Sequence, residues 1–160
     1  MSKDKSPVTP AVRVLRNANA QFTGYPYKYV EHGGTGNFAR QYKVDEHAVI
    51  KTLIMEDETK RPLVVLMHGD REVSTKDLAR TIGVKMVQPC APDTAQKHSG
   101  YMVGGTSPFG IRRPMPVYME ETILTLPVIY INGGKRGYLI CIDPKEIVRI
   151  LRPALVHVGI

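Results

Sequence analysis

The sequence predicts a mixed α/β (α+β) domain in which helices pack outside a largely antiparallel sheet. Two pairs of apolar runs, 50–55 with 62–67 and 128–132 with 138–142, are each joined by a polar or glycine-rich turn and read as hairpins. Clear helix starts fall among them without the steady strand–helix–strand alternation of a doubly wound sheet. A length of 160 residues fits one compact domain.

Taken in order, residues 1–8 read as a loose polar N-terminus, which leaves 9–160 as the single domain. Thr9-Pro10 opens a helix, with a hydroxyl to cap it and proline at its first position. Val12, Leu15 and Ala18 share a face of that helix. Tyr25, Tyr27 and Tyr29, at period two, mark a strand over 22–30. Pro26 assigns that strand to an edge or a bulge. Gly33-Gly34-Thr35-Gly36 predicts a loop, followed by a short polar helix ending before Ala48.

Beyond the first hairpin, whose turn is 56–61, Ser74 caps a helix through Leu78 and Ile82 that Gly83 stops. Residues 84–87 read as a short strand and 93–97 as a helix ended by Gly100. A strand is expected to begin at Tyr101 and break into a glycine-rich loop up to Gly110. Val117 precedes a short helix over 120–124, and the second hairpin turns at 133–137. Asp143-Pro144 opens a last helix containing Ile147, Ile150 and Leu151, Pro153 ends it, and 155–158 read as a final strand.

The composition, 42% hydrophobic and 23% charged, is that of an ordinary globular domain. With no Trp and three Phe, the core must come from Val, Ile, Leu, Met and Tyr. A net charge of +7 favours polyanions without choosing among them. The first ten residues hold no apolar run of the signal-peptide kind. No stretch approaches the roughly 20 apolar residues of a membrane span, so a soluble cytoplasmic protein with no membrane partner is expected. Cys90 and Cys141 form no C-x-x-C pair and are expected as reduced thiols. His32, His47, His68, His98 and His157 show no ligand spacing, so neither a metal nor another cofactor is expected.

Two features carry candidate chemistry. Lys51 lies within an apolar run, on the strand face of Leu53 and Met55. An edge lysine that carries its amine out to water explains it, and so does a cation at a pocket mouth that holds phosphate or polarises an ester. Gly104-Gly105-Thr106-Ser107-Pro108-Phe109-Gly110 lets a backbone approach a ligand closely. Its N–H groups could receive a carbonyl oxygen as charge develops on it, or it is a tight structural loop. Ser107 is not in a G-x-S-x-G elbow and reads as a hydroxyl bonded to the loop backbone. Arg112 and Arg113 after the loop, with Lys135 and Arg136 in the late turn, suit phosphate contacts or a solvated turn equally.

Thr9-Pro10-Ala11-Val12, Val49-Ile50-Lys51-Thr52-Leu53, the stretch 100–110 and Ile131-Asn132-Gly133-Gly134-Lys135-Arg136-Gly137 together resemble the YbaK/EbsC family of Cys-tRNA(Pro) deacylases, relatives of the editing domain of bacterial prolyl-tRNA synthetases. The segments occur in family order and cover most of the chain. The resemblance implies a twisted, barrel-like sheet and hydrolysis of the ester joining an amino acid to tRNA. It implies mischarged tRNA as substrate, with prolyl-tRNA synthetase as a partner. It carries a functional lysine onto Lys51, a substrate-binding loop onto Gly104, Gly105, Thr106, Ser107 and Phe109, and a pocket position onto Tyr27. It further implies that the thiol of a misattached cysteine attacks its own carbonyl. Relatives carry an acidic residue where this chain continues Tyr138-Leu139, which leaves alanine, removed by water, beside cysteine as the amino acid. A non-catalytic tRNA- or synthetase-binding module would use the same pocket, and a small-molecule esterase would need Ser107.

Overall fold

The computed structural model describes residues 7–160. Of the loose N-terminus expected over 1–8, residues 1–6 lie outside the described residues, and Val8 is exposed. The described residues form five helices and one eight-stranded sheet: α1 (Pro10–Asn17), β1 (Phe22–Pro26), α2 (Gly34–Tyr42), β2 (Val49–Asp57), β3 (Pro62–His68), α3 (Thr75–Ile82), β4 (Val87–Pro89), α4 (Pro92–Ser99), β5 (Val117–Glu120), β6 (Ile129–Lys135), β7 (Tyr138–Ile142), α5 (Pro144–Leu151) and β8 (Ala154–Val156). No described helix is long and apolar enough to cross a membrane.

The predicted caps form. Thr9 Oγ1 accepts the Val12 amide at 3.0 Å, Ser74 accepts from Asp77 and Asp143 from Lys145, while Gly83 and Gly100 close α3 and α4 in left-handed conformations. Thr9 also donates its hydroxyl to Gly133 O at 2.6 Å, which ties α1 to β6.

Both hairpins are present, with Lys51 opposite Met67 in β2/β3 and Ile131 opposite Ile140 in β6/β7. The strand order is β1-β7-β6-β2-β3-β5-β8, with β4 also on β2. The β1/β7, β7/β6, β2/β3 and β2/β4 ladders are antiparallel; β2/β6, β3/β5 and β5/β8 are parallel. Pro26 ends the edge strand β1, where a missing donor costs no ladder bond.

Alternation along the strands separates two faces. Ile50, Ile54, Val64, Leu66, Ile131 and Ile140 point to the side covered by α1 and α5. On the other face Met55, Val65 and Met67 pack under α3, and Val49 and Leu139 pack under Phe38 of α2. Each side chain removed from water in this way contributes roughly 1.5–3 kcal/mol.

One edge of β2 is shared by two neighbours. Its ladder to β6 covers Val49 and Ile50, and its ladder to β4 covers Met55 to Asp57. Residues 51–54 lie between the two, bounded by the Cys90 N–H bond to Ile54 O. Lys51 is therefore the residue at which β6 leaves β2.

Several boundaries differ from expectation. No strand begins at Tyr101: its ring is buried and its hydroxyl donates to Phe109 O at 2.5 Å, folding 100–110 back on itself. The expected loop at 33–36 is already helical from Gly34, because Asn37 Nδ2 bonds Lys28 O and Thr35 bonds Glu46. Residues 27–30 leave the strand after Pro26, and Gln41 takes both the N–H and the C=O of Lys28. The strand expected at 84–87 is displaced to Val87–Pro89, where it meets β2. The short helix expected over 120–124 is present as a 3₁₀ helix one residue later, Glu121–Thr125, because Glu120 ends β5. The last strand occupies Ala154–Val156, earlier than the expected 155–158.

Candidate functional site

The centre of the site is the contact between loop 100–110 and the β6/β7 hairpin. Asn132 of β6 makes three bonds there. Its Nδ2 donates to Gly104 O at 3.1 Å, and its Oδ1 accepts the amides of Gly134 and Lys135 at 2.7 and 3.1 Å. Arg136 Nε donates to Val103 O at 2.8 Å, and its guanidinium lies 5.0 Å from the centre of the Tyr29 ring, within cation–π range.

The two glycines are there because nothing larger fits. A β-carbon on Gly104, whose φ is +90°, would stand 2.6 Å from the Tyr29 hydroxyl. One on Gly105 would stand 2.8 Å from the Arg136 backbone nitrogen. Of the two amides, that of Gly105 donates to Met102 O at 2.8 Å and is not open to a ligand. The amides of Gly104 and Thr106 have no partner among the described residues. Thr106 Oγ1 is 3.5 Å from Met102 O.

Ser107 and Phe109 lie behind this surface. Both are fully buried. Ser107 Oγ accepts the Phe109 amide at 3.2 Å, the loop-backbone bond its sequence context suggests. Phe109 joins the core under α1. Their side chains therefore shape the loop from beneath.

Tyr27 borders the same region. Its amide donates to Gly137 O at 2.9 Å, and its ring meets Phe38 edge-on at 5.3 Å. Burial pushes its hydroxyl pKa up, against a lowering backbone hydrogen bond from Gly137.

Lys51 and Asn132 each follow a paired residue, Ile50 and Ile131, so by strand alternation both point to the face of Val49 and Tyr130. The lysine side chain is 21% exposed, and its ammonium lies 3.5 Å from Glu72 Oε1. Its ion pair is with Glu72 and with no group of loop 100–110. Next to it, Thr52 Oγ1 is buried without a hydrogen-bond partner.

The four basic residues fall into two groups. Lys135 and Arg136 belong to the hairpin. Arg112 and Arg113 close the end of α4, their amides bonded to Ser99 O and His98 O, with Arg113 Nη1 3.2 Å from His98 Nδ1. A large open groove lies elsewhere, between β1 and α5, lined by Thr23, Cys141, Lys145 and Arg149, and includes none of the expected site residues.

Sequence reasoning missed Asn132, Tyr29, Glu72 and the imidazole pair His47/His68. The two rings stack at 3.7 Å. His47 Nδ1 bonds Asp70 at 2.8 Å, and buried His68 bonds His47 O and Thr122 Oγ1, both at 2.7 Å. Burial, then the Glu56 carboxylate, push the Cys90 thiol up to about 12, and burial raises Cys141, so both are held toward the protonated thiol.

A 27% identical relative, EbsC of Enterococcus faecalis, matches over 89% of this chain and 87% of its own length and carries the provisional name Cys-tRNA(Pro)/Cys-tRNA(Cys) deacylase. The proline–tRNA ligase of Brachyspira hyodysenteriae is 23% identical over 54% of this chain and 15% of the ligase. Among solved structures, the hypothetical protein APE2540 superposes with a TM-score of 0.87 at 19% identity, covering 94% of this chain and 99% of that one. A provisionally assigned trans-editing enzyme for prolyl-tRNA synthetase superposes at 0.80 and 18% identity, covering 96% and 99%. The model of the aminoacyl-tRNA editing domain matches residues 34–150, a span that holds Lys51, loop 100–110 and the β6/β7 hairpin, and the chain belongs to that family.

Proposed function

We propose that this protein hydrolyses the ester of mischarged aminoacyl-tRNA in trans, with Cys-tRNA(Pro) as its substrate. The observation that carries the reading is the joining of the glycine loop to the 132–137 hairpin by Asn132 and Arg136, inside the span matched by the editing family. That junction turns the unpartnered amides of Gly104 and Thr106 into a fixed surface for the aminoacyl carbonyl.

The chemistry needs no catalytic triad, because an aminoacyl ester is already activated and positioning supplies most of the acceleration. The substrate thiol attacks its own carbonyl carbon. The bond to the terminal ribose oxygen breaks, that oxygen takes the thiol proton, and water then opens the thiolactone to free cysteine. Lys51 holds the terminal phosphate or ribose region, while Tyr27 and Phe38 form the apolar wall. Lys135, Arg136, Arg112 and Arg113 contact the tRNA backbone, and prolyl-tRNA synthetase supplies the choice of tRNA.

Deacylation of Cys-, Ala- and Pro-tRNA(Pro) under multiple turnover tests this reading. Cysteine is released fastest, alkylation of the substrate thiol stops the reaction, and Lys51→Ala lowers kcat/KM at least tenfold, the loss of about 1.4 kcal/mol of transition-state binding. Alanine released as fast as cysteine, or cysteine released after its thiol is alkylated, would replace the thiol route with water. Binding without turnover would leave a recognition module. A Lys51→Ala protein that deacylates like wild type would remove the lysine from the site.

A further inference from the structure

The Lys51 ammonium is not waiting unpaired for a substrate. It is paired with Glu72, in the connection between β3 and α3, and the way that connection is built bears on binding. The Glu72 backbone is fixed on both sides: its N–H donates to Ile160 O at 2.9 Å, and Ile160 N–H returns to Glu72 O at 2.8 Å. Ser74 N–H donates to Val158 O at 2.8 Å. The facing segment is itself held, because the Glu120 carboxylate accepts the amides of Val158 and Gly159 at 2.8 and 2.7 Å. Two residues earlier, Asp70 is bonded to His47. From this anchored backbone the glutamate side chain projects into water, 83% exposed, beside exposed Asp70 and Arg71.

The contact is loose. At 3.5 Å it is longer than a charge-assisted N–H···O bond, and with Glu72 83% exposed, water screens the pair. It adds little to the fold and holds the amine only lightly. We propose that Glu72 is the counter-ion a substrate must displace from Lys51, and that it thereby sets the affinity of the site for the phosphodiester end of charged tRNA. The inference rests on Lys51 being the substrate-binding cation. One ammonium cannot serve a carboxylate and a phosphate equally, so an incoming anion must first take the amine from Glu72. Small anions are thus held off, whereas a tRNA that also contacts the loop and the basic hairpin can exchange with it.

Steady-state deacylation of Cys-tRNA(Pro) with Glu72→Gln, Glu72→Asp, Lys51→Ala and the Lys51→Ala/Glu72→Gln pair tests the exchange, together with inhibition by inorganic phosphate. Glu72→Gln lowers KM about threefold, as an exposed ion pair allows, with the effect on KM rather than kcat. It also makes phosphate a stronger inhibitor. Glu72→Asp, one methylene too short to hold the amine, follows Glu72→Gln; general repulsion of RNA would make it follow wild type. In the Lys51→Ala background Glu72→Gln changes KM no further. An unchanged or higher KM for Glu72→Gln, or the same fall without Lys51, overturns the role of Glu72 while leaving the site intact. Wild-type KM and kcat for Lys51→Ala overturn the site reading itself.

Discussion

Ser107 shows what a single hydroxyl does in this loop. It is fully buried and takes up the Phe109 amide, so its removal leaves a buried donor without a partner. Ser107→Ala is expected to lower stability by about 1–3 kcal/mol, read as a fall in the thermal midpoint. A thousandfold loss of turnover at an unchanged midpoint would instead mark the hydroxyl as chemical. The sequence made this residue legible because the rival reading required a recognisable elbow. It could not reveal Asn132 or Glu72. Asn132 looks like an ordinary turn residue until Gly104 is brought beside it, and Glu72 is one of many surface carboxylates until Lys51 reaches it.

Among elements, those governed by local chemistry were the legible ones. Thr9-Pro10, Ser74 with Gly83, and Asp143-Pro144 mark helix ends because cap and helix are neighbours in sequence. The pairings of β4 with β2 and of β5 with β8 were not legible, since each depends on strands distant in the chain. The 100–110 segment failed as a strand because buried Tyr101 bonds eight residues ahead. How closely that loop packs on the hairpin is tested by Gly105→Ala. The new methyl meets backbone at Arg136 and Lys135, which cannot rotate away. The variant is expected to lose about 1–3 kcal/mol of stability and to deacylate more slowly, since the hairpin must shift outward. A fully active, fully stable Gly105→Ala protein would show the contact to be slack.

For the whole molecule, acidity is the lever. Burial, chiefly, holds the His68 pKa below 6.5, so the unfolded chain takes up that proton first. The contribution is complete above the unfolded value and is lost as pH falls from about 6.5 toward the folded value. Asp70 works in the same direction lower down: burial raises its pKa, but the His47 hydrogen bond and charge outweigh this and hold it below 3.8. The thermal midpoint should therefore fall between pH 7 and pH 5, and more steeply for wild type than for His68→Gln. Equal slopes would separate His68 from the acid response.

The shared edge of β2 has a mechanical consequence. Between Ile50 and Ile54 the strand is laddered to β3 alone, so the sheet carries a seam there. No strand-to-strand bond joins β6 to β4 across that seam. Shear between the β6 end and the β4 end of that edge is therefore carried by β2 and β3 alone.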